Sequence, residues 1–522
     1  MSEYDAIVVG AGHNGLTAAA VLQQAGMRTL CVEANTYSGG MAATVELIEG
    51  FRYEIAGSVQ FPMPPQIAKE LGLDTLPTVD AEVQSVNLGD AGEEPLIFYR
   101  DPIKFMTHLA DKHGMEAVAG MAGLIGWSQG PAKALGRFDV RTPPKTLDEM
   151  YACAANEAER TAIHDVMFGS AMDAIDRYLP DKEKHAVLRG MLAFLAINST
   201  YRGPYTPGSA TCLAWALAVP DDTTAMMTKL EGGIGALCDH LRELFLSSGG
   251  EIRYRTKVDR ILVSDDRVTG VRLRDGSEIS APVVVSNLSP DYTLVDLVGA
   301  DLLPADLVTR ISGRDHRASF VQLHFALDGL PEFAPPYDFL NDPEMLGSVA
   351  IFNSPEEQQR QWDECRRGIV PDNPSMGMQI PSVHDPSMAP PGKHAASAFA
   401  YALPVENSRD TRKLKNEMAE KVIDKITRYA PNFRDIQIRL ITFAPYHMDT
   451  MFAAPSGDFC HGLLHPDLMG PNRPGPKGFL DMPIPIDGLY LGGAGCHGGP
   501  GITFTPGYNA GYQVIEDFAG ST

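Results

Sequence analysis

Cysteine is scarce and poorly spaced for chemistry. The seven residues are Cys31, Cys153, Cys212, Cys238, Cys365, Cys460 and Cys496, with no CxxC pair or zinc-like cluster among them. That excludes a dithiol redox centre and a structural zinc site, and suits reduced thiols in a cytoplasmic protein. His461 and His465 stand four apart, but Gly462 and Pro466 break the helix such a metal pair needs, so no metal is expected. No apolar run approaches the ~20 residues of a membrane span. The run LAWALAV from Leu213 is far too short. Positive charge is in deficit, with 43 Lys and Arg against 66 Asp and Glu, a formal net charge of −23. This argues against nucleic-acid binding and against simple electrostatic docking on anionic lipid. There is no evident Ser–His–Asp order or paired-carboxylate motif. A strand pattern follows Met1 within a few residues, so no secretory leader is expected.

What is present begins at once. Tyr4 to Gly10 reads YDAIVVG, a buried strand by pattern, followed by GAGHNG and the helical run LTAAAVLQQAG, closed by Gly26. A second apolar run, Thr29 to Val32, ends on Glu33. This is a dinucleotide-binding βαβ unit in its full context. Gly10 serves the tight turn, Gly12 lets backbone approach a pyrophosphate, and Gly15 lets the helix lie close to the sheet. His13 and Asn14 open the helix, whose N-terminus offers free N–H groups to phosphate. Glu33 stands at the second strand tip, where a carboxylate accepts from ribose hydroxyls.

The next stretch, ANTYSGGMAAT, places Gly39 and Gly40 shortly after the acid. The segment from Ile7 to Thr44 resembles the long FAD signature of the phytoene desaturase, carotenoid isomerase and retinol saturase group, and more distantly that of amine oxidases. In that group an Arg usually follows the glycine pair. Here it is Met41, as in relatives resembling the second type of pyridine nucleotide-disulphide oxidoreductase domain protein. The resemblance implies FAD, held along Ala34, Gly40, Met41 and Ala42. It also places Ala56, Gly57 and Ser58, in IAGSVQF, close to the isoalloxazine ring.

With 522 residues the chain has room for two or three domains. Residues 46–61 read as two short strands around Gly50. From 62 to 228 the pattern is mostly helical, with one strand at Leu96–Tyr99 and helices at Pro102–His113, Thr146–Ala155, Glu157–Gly169, Ala171–Tyr178 and Lys182–Ala196. Methionines recur there, among them Met106, Met115, Met121, Met167, Met172, Met191, Met226 and Met227; core filling is the plainer account, an adaptable ligand surface the other. Leu230 to Asn287 gives a helix and then a run of strands with turns at SDDR and DG. That order resembles the family's second FAD segment and puts Val258 against the adenine. Residues 300–477 hold a strand at FVQLHFALDGL, a helix near Arg412–Tyr429 and three proline clusters. His461, in GDFCHG, reads as a satisfied structural histidine.

The last stretch, IDGLYLGGAGCHGGPGITFTPGYNAGYQ, resembles the terminal FAD segment of the same group. It implies that Gly493, Gly495, Gly501, Ile502 and Thr503 pass the ribityl chain and the pyrimidine. Thr505 is a natural N-cap and Pro506 a natural first helical residue. Gly507 and Gly511 share one helical face, which calls for a close neighbour, either the flavin or the opening βαβ unit. His497 is the candidate catalytic side chain, because it lies in this segment and histidine titrates near neutrality.

The expected fold is α/β: a discontinuous Rossmann-like FAD domain of glutathione reductase type (1–61, 229–299, 478–522) with an inserted α+β substrate domain (62–228, 300–477). Three functions compete. The first is an FAD enzyme that desaturates, saturates or isomerises carbon–carbon bonds of an apolar substrate such as a polyene or isoprenoid. The second is an amine oxidase-like enzyme, which usually frames its flavin with paired aromatics; Trp127, Trp215 and Trp362 are not obviously placed for that. The third is a non-enzymatic isoprenoid-binding carrier resembling the Rab GDP-dissociation inhibitors, disfavoured because Gly10, Gly12, Gly15 and Glu33 are all present. With no second nucleotide unit, a stable NADPH-plus-FAD arrangement is not expected; the electron acceptor is unknown, with oxygen and a quinone as the open alternatives. Peripheral membrane contact stays open.

Overall fold

The computed structural model describes residues 3–57, 61–220, 229–405 and 411–519. Strands β1 (Ala6–Val9) and β2 (Thr29–Val32) are buried at every position, as parallel strands covered on both faces must be. Helix α1 (His13–Gln24) connects them. The sheet is entirely parallel, in the order Leu489–Leu491, Val284–Ser286, β1, β2, Glu251–Arg253. A separate antiparallel three-stranded sheet, Val258–Ser264, Arg267–Leu273 and Glu278–Ser280, covers one face of this layer, its Val258, Ile261 and Val271 sharing a core with Ile7, Val9 and Leu30. Its tight turn has Asp265 and Asp266 at φ 50° and 58°, the left-handed pair a two-residue hairpin requires.

The inserted part is built on a seven-stranded mixed sheet, in the order Gln437–Phe443, Phe320–Leu327, His394–Tyr401, Met376–Gln379, Ser348–Phe352, Val83–Gly89, Leu96–Tyr99. The expected strand at Leu96–Tyr99 is therefore an edge strand. Its neighbour Val83–Gly89 escapes a reading by alternation because Gln84, Ser85 and Asn87 interrupt the apolar pattern. Helices cover this block and have a core of their own around Trp127, Leu188 and Trp215.

Element ends differ from expectation for local reasons. The helix expected over Lys182–Ala196 begins at Ala186, because the Asp181 carboxylate and carbonyl hold Lys184 and His185 in a turn. The one expected over Thr146–Ala155 is Leu147–Ala152, with Thr146 and Glu149 forming a capping box. A 20-residue helix, Met115–Ala134, is hidden in the sequence by its four glycines. A Cβ at Gly123 would meet the Tyr178 ring at 2.5 Å, so that glycine is a packing residue. The terminal helix spans Thr505–Ala519, so Thr505 lies inside it, and its hydroxyl donates to the Thr503 carbonyl instead of capping.

The glycine face of that helix meets the opening βαβ unit. A Cβ on Gly507 would collide with the Asn14 carbonyl, and one on Gly511 would lie 3.0 Å from Val21. Of the two expected neighbours, helix α1 is the one in contact.

Candidate cofactor and active site

The site is a trough at the C-terminal edge of the parallel sheet, where open α/β sheets bind their ligands. Its floor is the turn after β1. Gly10 takes φ +94°, and a Cβ on Gly15 would fall on the Gly10 carbonyl, so turn and helix can approach only as glycines. Gly12 is the cap position of α1; no side chain caps it and no acid occupies the first turn. That leaves backbone N–H groups and the positive end of the helix dipole for an anion. Gly40 lies over Gly12, with room for a Cβ no nearer than 3.4 Å to the Gly12 Cα.

Glu33 closes one end. It is 6% exposed, and its two carboxylate oxygens accept the Ala11 and Asn35 N–H groups, each at 2.7 Å. Burial raises its pKa, against the pull of these backbone donors. A carboxylate has about four acceptor sites, so two remain for ribose hydroxyls. Thr256 N–H donates to the Glu33 carbonyl at 2.8 Å, which brings the strand starting at Val258 to this end. Ala34 is exposed and Ala42 buried.

The far end is framed by three segments. Met41 accepts the Ala56 and Gly57 N–H groups on its carbonyl, so this residue acts through backbone. Gly493 crosses the Asn287–Leu288 carbonyls where no side chain fits, and a Cβ on Gly495 would lie 2.6 Å from the His461 carbonyl. Gly501, Ile502 and Phe504 all have positive φ, at 114°, 57° and 62°. Thr503 spends its hydroxyl on the Gly498 carbonyl at 2.7 Å. Gly10, His13, Gly40, Gly57, Ala494 and Gly501 are only half-buried although they lie among core residues, as the wall of an internal trough should be. The donor set, the uncapped helix and the cradle of glycines fit a dinucleotide such as FAD. Ser58 lies outside the described residues.

Two histidines differ from expectation. His497 is 3% exposed, and its ring packs where a Cβ on Gly136 would lie 2.7 Å from Cε1. Burial lowers its pKa to about 4, so it is neutral at pH 7 and does not titrate near neutrality. His461, expected to be satisfied, has no hydrogen-bond partner on either ring nitrogen.

Beyond the trough lies an apolar wall that sequence reasoning missed. Phe320–Leu327 and His394–Tyr401 pair antiparallel, with Gln322 opposite Phe399 and Phe320 opposite Tyr401 on one face. Met41 and Ala56 of the trough share a cluster with Phe320, Tyr401 and Phe459. Tyr401 is half-buried by area, yet desolvation pushes its hydroxyl far above the ordinary range. The ring therefore borders an internal space, not bulk water. Phe194 and Met191 pack against Phe399 and Tyr401. The signal in the sequence was the alternation of Ala396, Ala398 and Ala400 with larger residues. Of the methionines, Met121, Met167 and Met172 are core; Met106 and Met115 are exposed; Met226 and Met227 lie outside the described residues.

All seven cysteines are free thiols. Among the described residues no group of three or more potential ligands is placed to hold a metal, and no helix is long and apolar enough to cross a membrane.

Comparison with known proteins agrees with this geometry. The family model described as flavin containing amine oxidoreductase matches residues 15–514. The chain is 28% identical over 566 residues to pyridine nucleotide-disulfide oxidoreductase domain-containing protein 2 of Mus musculus, covering 99% of this chain and 94% of that one. It is 24% identical to the chloroplastic prolycopene isomerase of Daucus carota, covering 96% and 78%. It is 26% identical to the lycopene-forming phytoene desaturase of Pseudescherichia vulneris, covering 95% of each. Among solved structures, an oxidoreductase from Methanosarcina mazei superposes with a TM-score of 0.57 at 17% identity, over 98% of this chain and 99% of that one. Putrescine oxidase bound to putrescine gives a TM-score of 0.57 at 16% identity over 99% of each. At such identities the structures share the fold.

Proposed function

Because the chain belongs to the flavin-containing amine oxidoreductase family and is an FAD-dependent oxidoreductase, we propose that it acts on carbon–carbon bonds of an apolar, unsaturated substrate, by desaturation, saturation or isomerisation. The observation that carries this reading is the apolar wall of Phe399, Tyr401, Phe194 and Met191 continuing from the trough. Relatives named as phytoene desaturases and prolycopene isomerases support it. We read residues 1–61, 229–299 and 478–522 as the cofactor part and the rest as the substrate part.

FAD supplies two-electron exchange with the substrate when bound. The chain supplies the remainder. The Gly12 turn and α1 would hold the pyrophosphate, and Glu33 would hold the ribose. Gly501 to Thr503, with the start of the terminal helix, would face the pyrimidine and would offer it backbone donors and the helix dipole. The wall orients the substrate and excludes water. His497, neutral, is the side chain we assign to accepting a proton. The protein is cytoplasmic in this reading, and Ile103, Met115 and Phe168, 77%, 67% and 55% exposed, suit contact with a membrane that stores the substrate.

The test is anaerobic. Reduced and oxidised holoenzyme are offered polyenes, enones and amines in turn, and flavin absorbance is followed. Electron exchange or isomerisation with polyenes or enones is expected. Exchange with amines alone, through imine products, would overturn the proposal in favour of amine oxidation.

A further inference from the structure

We infer that His461, lying where the terminal glycine turn comes near the start of α1, donates a ring N–H to the FAD pyrophosphate, the contact that Met41 cannot make. The inference rests on the FAD reading above.

A neutral imidazole always carries one N–H, and a buried donor left unpaired is costly enough to require an explanation. His461 is 6% exposed, and neither Nδ1 nor Nε2 has a partner within the chain. Its backbone is held in place: its N–H donates to the Asp458 carbonyl at 3.0 Å, at φ +51°, and its carbonyl lies against Gly495. Its ring is close enough to His13, the first residue of α1, to oppose protonation there. An unpartnered donor thus stands between the terminal glycine turn and the uncapped N-terminus of a 12-residue helix.

The surroundings favour an anion at this place. Behind His461, His316 bridges Asp458 at 2.7 Å and Asp291 at 3.1 Å, and Arg314 donates to Asp291 at 2.8 Å. Arg473 donates to the carbonyls of Ala494 at 2.6 Å, Gly462 at 2.8 Å and Cys496 at 3.0 Å. With His316 charged, as its two aspartates hold it, this buried cluster has three cations and two carboxylates. A buried surplus of positive charge favours an anion nearby. Met41 offers none of this, since its side chain packs in the apolar cluster with Phe452 and Phe459.

The test uses purified holoenzyme and two variants, His461→Leu and His461→Gln, with folding checked by thermal unfolding. Flavin release on dilution is read by fluorescence, and the bound pyrophosphate by phosphorus NMR. His461→Leu should weaken FAD retention ~10- to 100-fold, the effect of losing a charge-assisted hydrogen bond, and should shift a phosphorus resonance of the FAD still bound. His461→Gln, which keeps a donor, should restore most of the retention. Unchanged retention and resonances in His461→Leu would overturn the inference. So would equal losses in both variants with unchanged resonances, which is the signature of packing. Wild-type protein purified without flavin would overturn the FAD reading itself and this inference with it.

Discussion

The guanidinium of Arg137 lies 4.7 Å from the Trp215 ring centre, and the Trp215 indole N–H donates to the Pro500 carbonyl at 3.3 Å. The helical block thereby grips the turn at Pro500, next to Gly501. Arg137 is fully buried, gives one nitrogen to the Pro62 carbonyl at 2.7 Å and leaves Nε and Nη1 unpartnered. Burial alone lowers its pKa to about 9.

Arg137→Met should therefore keep or raise the melting temperature, since no carboxylate is left orphaned. It should also lower the flavin midpoint potential by roughly 30 mV or more, ~1.4 kcal/mol for a two-electron couple, because a cation against the indole that holds Pro500 favours electrons on the flavin ring. Dye-equilibration titration of the holoenzyme measures this. An unchanged potential would show the charge to be remote from the flavin.

Gly507→Ala should destabilise the protein by about 1–3 kcal/mol through overpacking, because the Asn14 carbonyl occupies the place of the new methyl. Gly511→Ala should cost less, since Val21 can yield. Denaturant unfolding of the holoenzyme ranks the two; the reverse order would contradict the contact described.

His316 gives stability a pH dependence. Burial opposes its charge, but Asp291 and Asp458 outweigh that and raise its pKa from 6.5 to about 9. The folded state binds the proton more tightly, so this stabilisation is complete below about 6.5 and is lost as pH rises through about 9. The gap corresponds to about 3 kcal/mol. The stability difference between wild type and His316→Gln should shrink by that order between pH 6.5 and 9. A constant difference would mean that His316 is not charged.

His497→Ala should lower turnover ~100-fold or more, the usual scale of lost acid–base assistance, with FAD content unchanged. Cys496→Ser, one residue away, should stay within about tenfold, ~1.4 kcal/mol in barrier. Burial pushes the Cys496 thiol up to about 12, so it is no thiolate at neutral pH. Equal effects of the two substitutions would remove His497 from the chemistry.

The cofactor end was legible because its constraints are local. Gly10, Gly12 and Gly15 answer to one turn, and Glu33 to the end of one strand. The substrate wall was not, since it exists only after Phe320–Leu327 and His394–Tyr401 pair in register across about seventy residues. Met115–Ala134 was obscured because glycines that serve helix packing look the same in sequence as glycines that break helices. His461 was misread because its segment shows a histidine between glycines and nothing of the missing partner.

The strand order of the parallel sheet has a consequence for biosynthesis. β1 is made first of these strands, and its neighbour Val284–Ser286 and the outer strand Leu489–Leu491 follow it by hundreds of residues. Until then the growing chain has an open, fully apolar edge beside β1, a template for wrong pairing. The trough likewise lacks its Gly493–Thr503 wall until those residues too have been made. Cofactor capture thus waits on that wall, and yield of folded protein should depend on chaperone holding and on flavin supply more than on the stability of the finished molecule.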